Sequence, residues 1–206
     1  LLSTYNKNIN LKINLKFKIE KIIFENYQIV DISELKNATD FLYDNNLFLL
    51  QNKSIEKELK KISFIESFEI KKIYPNQVKI KIFEKKPIVI LQDKKDKYYF
   101  TDKYNLINFF PLKEYEGLPT VFSNKENFEI FYKNLKKNNF PFDIIKKIYN
   151  FESKRWDIVT KNNQTIKLPI KNYTKSLKNF LVLKDQQNFD KYKIFDYRIK
   201  DQLILK

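Results

Sequence analysis

The chain has 206 residues and a formal net charge of +15, with 40 Lys and Arg against 25 Asp and Glu; 43% of residues are hydrophobic and 16% aromatic. That length fits one large domain or two small ones, with enough apolar surface for real cores. The absence of cysteine and histidine excludes disulfides and thiolate metal sites and removes the commonest metal ligand and general base. No stretch of eighteen apolar residues occurs, so nothing in the chain is expected to span a membrane. With no methionine and Leu1 in first place, it is expected to derive from a longer translation product.

Only two of the basic residues are arginine, Arg155 and Arg198. A lysine-rich, Asn/Ile-rich composition retains arginine where a planar, multi-donor guanidinium matters more than a point charge. The positive charge suits nucleic acid or an anionic membrane surface. However, the lysines are scattered among Asp and Glu, as on a solvated surface, and are not gathered on one arm.

Residues 1–16 are polar and suit a tether. A strand is expected over Phe17–Phe24, ended by Glu25-Asn26. Asp31-Ile32-Ser33-Glu34 reads as a capping box, followed by Ile32, Leu35, Ala38 and Leu42 at helical spacing. Leu47–Leu50 is a short apolar element before a second helix carrying Ile55, Leu59 and Ile62. Alternation around Tyr74-Pro75-Asn76 predicts a hairpin. Strand–helix–helix–strand–strand is a small α+β unit with its helices on one sheet face.

Asp93–Lys97 reads as an exposed turn between β elements. Strands are expected at Tyr98–Thr101 and Leu106–Phe109, with Asn105 taking the positive φ between them. Ser123 and Glu126 suggest a second capping box, before a helix whose stripe is Phe128, Phe131 and Leu135. Ile148–Thr160 and Gln164–Leu168 flank a turn at Lys161-Asn162-Asn163. A helix from about Tyr173 should bury Leu177, Phe180 and Leu181, and a strand-like segment closes the chain.

Leu47-Phe48, Phe64-Ile65, Tyr74-Pro75-Asn76 and Glu84-Lys85-Lys86-Pro87, in this order, resemble a POTRA domain of the kind found in the FtsQ/DivIB family. The chain departs from the pattern at Ser63-Phe64, where the family has Pro-Trp, and at Glu25, where a Gly usually precedes Asn26; Asn26 tolerates a left-handed conformation itself. Arg155-Trp156-Asp157, Thr165–Pro169 and Phe195-Asp196-Tyr197-Arg198 resemble the family's C-terminal β domain, especially in its alphaproteobacterial form.

The resemblance implies an α+β chain: a membrane-proximal tether (1–16), a POTRA domain (17–91) and a mixed, mostly antiparallel β domain with flanking helices (92–206). It implies a single-pass protein of the bacterial inner membrane at the division septum, with this region periplasmic and Leu1-Leu2 ending an anchor helix. It also implies a non-enzymatic scaffold that binds FtsB and FtsL and links them to the septal peptidoglycan synthase FtsW–FtsI, with no cofactor, metal or nucleic acid. The family's FtsB site falls on the last stretch of sheet, expected as one accessible strand over Ile194–Leu205. This assigns strand addition to Tyr197, Arg198, Ile199, Lys200, Asp201 and Leu203, with Lys154 and Arg155 as secondary contacts. Ile199 stands where enterobacterial members of the family carry Tyr, so an aromatic anchor would come from Tyr197 or be lost.

The residues themselves leave choices open. Trp156 on a strand is first a core residue, and Arg155 beside it faces the other way. Asp196 and Arg198 share a strand face, so Arg198 serves either an internal pair or a partner. Without His or Cys, catalysis would need a Ser-Lys pair or two carboxylates, and no such spacing stands out. One glycine excludes a glycine-rich phosphate loop. Two other functions stay in view: another POTRA-bearing envelope assembly protein, which would need repeated units or a barrel, and a basic nucleic-acid-binding module, which a steep salt dependence would reveal.

Overall fold

The computed structural model describes residues 17–184, 186, 189 and 191–206. The expected tether, 1–16, lies outside the described residues. The chain divides into two compact units, meeting between Lys85 and Lys86.

The first unit contains β1 (Lys21–Glu25), α1 (Ile32–Thr39), α2 (Asn52–Leu59), β2 (Ile65–Ile73) and β3 (Gln77–Glu84). This is the element order expected from the sequence. The strands form one sheet in the order β1-β3-β2, with β1 parallel and β2 antiparallel to β3. Alternation sends Val78, Ile80 and Ile82 of β3 into the core, against Leu35, Leu42, Ile55 and Leu59. Asp31 caps α1 by accepting from Ser33 N at 2.7 Å. The first strand begins later than Phe17, because Lys18 bridges to Asn46 and not to the sheet. Asn26 takes a φ of 62°, and the Tyr74–Pro75 peptide is cis. Phe64, where the family has tryptophan, is buried.

A feature not read from the sequence holds the entry to α1. Glu84, at the end of β3, places one carboxylate oxygen against three successive backbone N–H groups, those of Gln28, Ile29 and Val30, at 2.8–3.0 Å. A carboxylate in such a nest of donors makes charge-assisted bonds. The acidic residue of the Glu84–Pro87 motif therefore closes a loop more than fifty residues earlier in the chain.

The second unit contains β4 (Pro87–Asp93), β5 (Asp96–Thr101), β6 (Leu106–Asn108), β7 (Thr120–Phe122), α3 (Lys125–Lys137), β8 (Ile145–Asn150), β9 (Trp156–Thr160), β10 (Thr165–Lys167), α4 (Tyr173–Lys184), β11 (Ile194–Asp196) and β12 (Ile204–Leu205). All nine strands share one sheet in the order β12-β11-β10-β9-β8-β7-β4-β5-β6. β4–β7, β7–β8 and β10–β11 pair in parallel and the rest antiparallel, so the sheet is mixed and mostly antiparallel. Phe128, Phe131 and Leu135 of α3 and Leu177 and Phe180 of α4 build one core with Val89, Leu91, Phe100, Ile148 and Ile158.

Several expectations are corrected here. Residues 86–91 were expected to close the first domain. They instead lie in the second unit, where β4 pairs with β5 and β7; Asp93–Lys97 forms the exposed turn between β elements that was expected, at the tip of the β4–β5 hairpin. Tyr104, not Asn105, takes the positive φ of 63°. The cap of α3 is Asn124, which accepts from Asn127 N at 2.9 Å, while Ser123 is buried and its backbone N–H donates to Gln92 O. The last segment is not one strand. β11 lies between β10 and β12 with both edges paired, and the chain turns at Asp201 (φ 57°) to return as β12.

Candidate partner-binding site

The two arginines occupy mirrored positions, Arg155-Trp156-Asp157 and Asp196-Tyr197-Arg198, at β9 and β11. On β9 the Trp156 indole stacks on Phe131, with ring centres 4.1 Å apart and planes 9° apart. Alternation turns Arg155 and Asp157 to the opposite face. There Arg155 Nε donates to Asp157 Oδ1 at 3.2 Å, and the guanidinium covers the Phe151 ring at 4.2 Å. Lys154 is exposed in the tight turn before it, with a φ of 62°.

On β11, Phe195 packs into the core and Asp196 faces out. Arg198 Nε donates to Asp196 Oδ1 at 2.8 Å, Nη2 to Oδ2 at 2.6 Å, and the Arg198 backbone N–H to Oδ1 at 3.1 Å. The internal pair is thus formed. It uses Nε and one Nη2 hydrogen, and leaves Nη1 outside the fork. The Arg198 side chain is 45% exposed.

β10 lies between these strands. The register sets Asp157 opposite Lys167, and Lys167 opposite Asp196. A row of Asp157, Lys167 and Asp196 therefore crosses three strands, with a guanidinium at each end. The environments of the two carboxyls differ. Burial pushes Asp157 above the ordinary carboxylate range, against the pull of Arg155, Lys167 and Arg198. The Arg198 hydrogen bonds hold Asp196 below that range, against the effect of burial. The same bonds raise Arg198. Three cations facing two carboxylates leave this row with one positive charge in excess.

Residues 197–203 form a loop beside the start of α4, bordering a groove of about 610 Å³. Lys171, Lys175, Arg198 and Lys200 line it, with Asp201 as its acid. Tyr197 is buried, and its hydroxyl donates to Asn179 Oδ1 of α4 at 2.9 Å; burial raises its pKa strongly. It therefore cannot serve as the exposed aromatic anchor. The exposed apolar side chain of the loop is Ile199, at 50%. Lys200 and Asp201 are exposed at the turn, whereas Leu203 packs against the core cluster. At the edge, Lys206 and Ile194 exchange both backbone bonds, at 2.9 and 3.1 Å. Alternation then points the N–H and C=O groups of Leu203 and Leu205 away from β11.

All six residues expected to form the site, Tyr197, Arg198, Ile199, Lys200, Asp201 and Leu203, border this groove, Tyr197 and Leu203 mostly from the core side, and Arg155 joins Arg198 through the charge row. Sequence reading missed Lys167 and the contribution of α4. The mirrored Arg-X-Asp and Asp-X-Arg spacing was the available signal, because both place a charge pair on one strand face. Among the described residues no group of three or more Asp or Glu side chains is placed to hold a metal ion. The arrangement presents guanidinium and ammonium groups beside a strand edge.

The family model for the FtsQ-type POTRA domain matches residues 17–85, the first compact unit. The cell division protein FtsQ of Rickettsia typhi is 27% identical over 192 residues, covering 91% of this chain and 72% of that protein. FtsQ of Rickettsia conorii is 28% identical with the same coverage. A solved structure of the major extracytoplasmic domain of the trans isomer of DivIB from Geobacillus stearothermophilus overlaps 48% of this chain and 91% of that one, with 12% identity and a TM-score of 0.34. The first unit thus matches the FtsQ-type POTRA family, and over 91% of its length the chain is similar to the cell division protein FtsQ. Among the described residues, no helix is long and apolar enough to cross a membrane.

Proposed function

We propose that this chain is a non-catalytic divisome scaffold that binds FtsB and FtsL and, through them, the septal synthase FtsW–FtsI. In this reading an N-terminal helix anchors it in the bacterial inner membrane, and the two units work in the periplasm at the septum. The observation that carries the reading is the conjunction of the basic groove at Arg198 with β12, which among the described residues is the edge strand of its sheet. An extended acidic segment pairs its backbone with Leu203 and Leu205 and sets its carboxylates against Arg198, Lys200 and Lys175. Asp196 fixes the guanidinium so that Nη1 is presented in one orientation. Arg155 and Lys154 extend the contact along the sheet face.

Calorimetry of the full chain against a peptide from the cognate FtsB C-terminal region tests this. Arg198→Glu is expected to weaken binding by about 2–5 kcal/mol, as when one partner of a desolvated charge pair is lost. Arg198→Lys is expected to lose less, because the charge stays while the fork goes. Unchanged affinity in both variants, with the fold intact by circular dichroism, confines Arg198 to pairing with Asp196.

A further inference from the structure

The first unit carries an apolar patch that its own core does not use. The loop after the 3₁₀ turn at Asp40–Asp44 exposes Phe48 at 65% and Leu49 at 69%, and the β2–β3 hairpin exposes Tyr74 at 55%. Phe17 draws these together: its ring lies 6.4 Å from Phe48 and 6.0 Å from Tyr74. Phe17 is also where the first sixteen residues join the unit. Leu47 N donates to Phe17 O at 2.7 Å, so the loop and the chain entry are pinned together.

The patch is prepared for a medium poorer in water. Unpaired backbone donors are what make burying a loop costly. Here Asn46 lowers that cost: its side-chain Oδ1 accepts from Phe48 N at 2.8 Å, and its carbonyl accepts from Leu49 N at 3.1 Å. Leu50 O accepts from Lys72 Nζ at 2.8 Å. Phe, Leu and Tyr at a tip suit the headgroup–acyl boundary, where amphipathic rings collect. Lys18, next to Phe17 in the chain, and Lys53, shortly after Leu50, are exposed; Glu20 and Asp44, also exposed, balance them, so these flanking residues carry no net charge.

We infer that Phe48, Leu49 and Tyr74 form a tip that enters the interface of the lipid bilayer and sets the first unit against the membrane. The inference rests on the proposed anchorage only for its orientation. A protein partner or a second copy on the same patch is the competing occupant.

Because the chain has no cysteine, a single Leu49→Cys change takes one environment-sensitive thiol dye, with Glu69→Cys, exposed on β2, as the control. The labelled full chain, carrying an N-terminal hexahistidine tag, is held on phosphatidylglycerol/phosphatidylethanolamine vesicles containing a nickel-chelating lipid. The tag replaces the natural anchor, so the outcome does not depend on whether one exists, nor on the FtsB site. Expected are a blue shift and quenching by acyl-chain nitroxide lipids for the dye at 49, at least about threefold stronger than for the dye at 69. Phe48→Ser with Tyr74→Ser should remove most of that difference. Equal quenching at 49 and 69 overturns the inference. So does a blue shift that grows with protein concentration without vesicles, which assigns the patch to a second copy.

Discussion

The two units divide charge and apolar surface between them. Over residues 17–85, twelve lysines face eleven acidic residues; over residues 86–206, twenty-five basic residues face fourteen acidic ones. Apart from three lysines among the first sixteen residues, the positive excess belongs to the second unit, which also holds both arginines and the basic groove. The first unit is nearly neutral and carries instead the exposed Phe48, Leu49 and Tyr74. A net charge of +15 spread over the whole chain suggests a diffuse polyanion binder. Within the second unit, four cations and one carboxylate gather on the groove at Arg198, a local excess that suits a short acidic segment better than a long polyanion. Charge is informative here only once it is assigned to a unit.

The largest expected effect tests whether the units are separate in stability as well as in sheet topology. Phe131→Ala removes a fully buried ring from the core of the second unit and should destabilise that unit by about 3–5 kcal/mol. Trp156, stacked on Phe131, reports the loss by fluorescence in urea. The first unit, followed by far-UV circular dichroism, should keep its own midpoint. A common shift in both signals would make the chain one cooperative body.

A smaller effect concerns the first unit alone. Glu84→Ala leaves the Gln28, Ile29 and Val30 donors without their acceptor and should cost about 1–3 kcal/mol. Hydrogen exchange should quicken at these three amides while β9–β11 stays protected. If protection there is unchanged, water replaces the carboxylate at little cost and the loop is held by packing.

The smallest effect is in pH dependence, within the second unit. Arg198 lowers the folded-state pKa of Asp196, so its contribution is complete above the unfolded carboxylate range, near about 4, and is lost as pH falls through the lower folded value. Burial raises Asp157, which gives the opposite sign: its protonation on acidification favours the folded state. Asp196→Asn should therefore flatten the acid limb of the second unit's stability curve, whereas Asp157→Asn should not. Arg198 is substantially exposed, so screening keeps the amplitude small, and salt should reduce it further. Equal acid limbs in wild type and Asp196→Asn would show that the pair forms without stabilising the unit.

The local sequence determined what short-range chemistry can encode. Alternation assigned Val78, Ile80 and Ile82 to a core face and placed Trp156 opposite Arg155. Helical spacing identified the stripes of α3 and α4, and Asp31 announced a helix start. Asn26 takes the positive φ that its place at the turn suggested, and Asn163 takes one within the turn read at 161–163, since asparagine tolerates that region. The tertiary structure decided whatever depends on which strands become neighbours. Lys167 stands between Asp157 and Asp196 only because β10 lies between β9 and β11, an order no periodicity records. Tyr197 turned inward because the β10 pairing continues to its N–H, which donates to Lys167 O, and its hydroxyl finds Asn179. The last residues turned back as β12, which covers the edge of β11 and makes the two-residue β12 the edge strand on that side among the described residues. The boundary moved to Lys85 for the same reason: residues 86–91 alternate equally well in either sheet, and pairing with β5 and β7 chose the second. A period of two fixes the faces of a strand, whereas its neighbours are set by contacts distant in sequence.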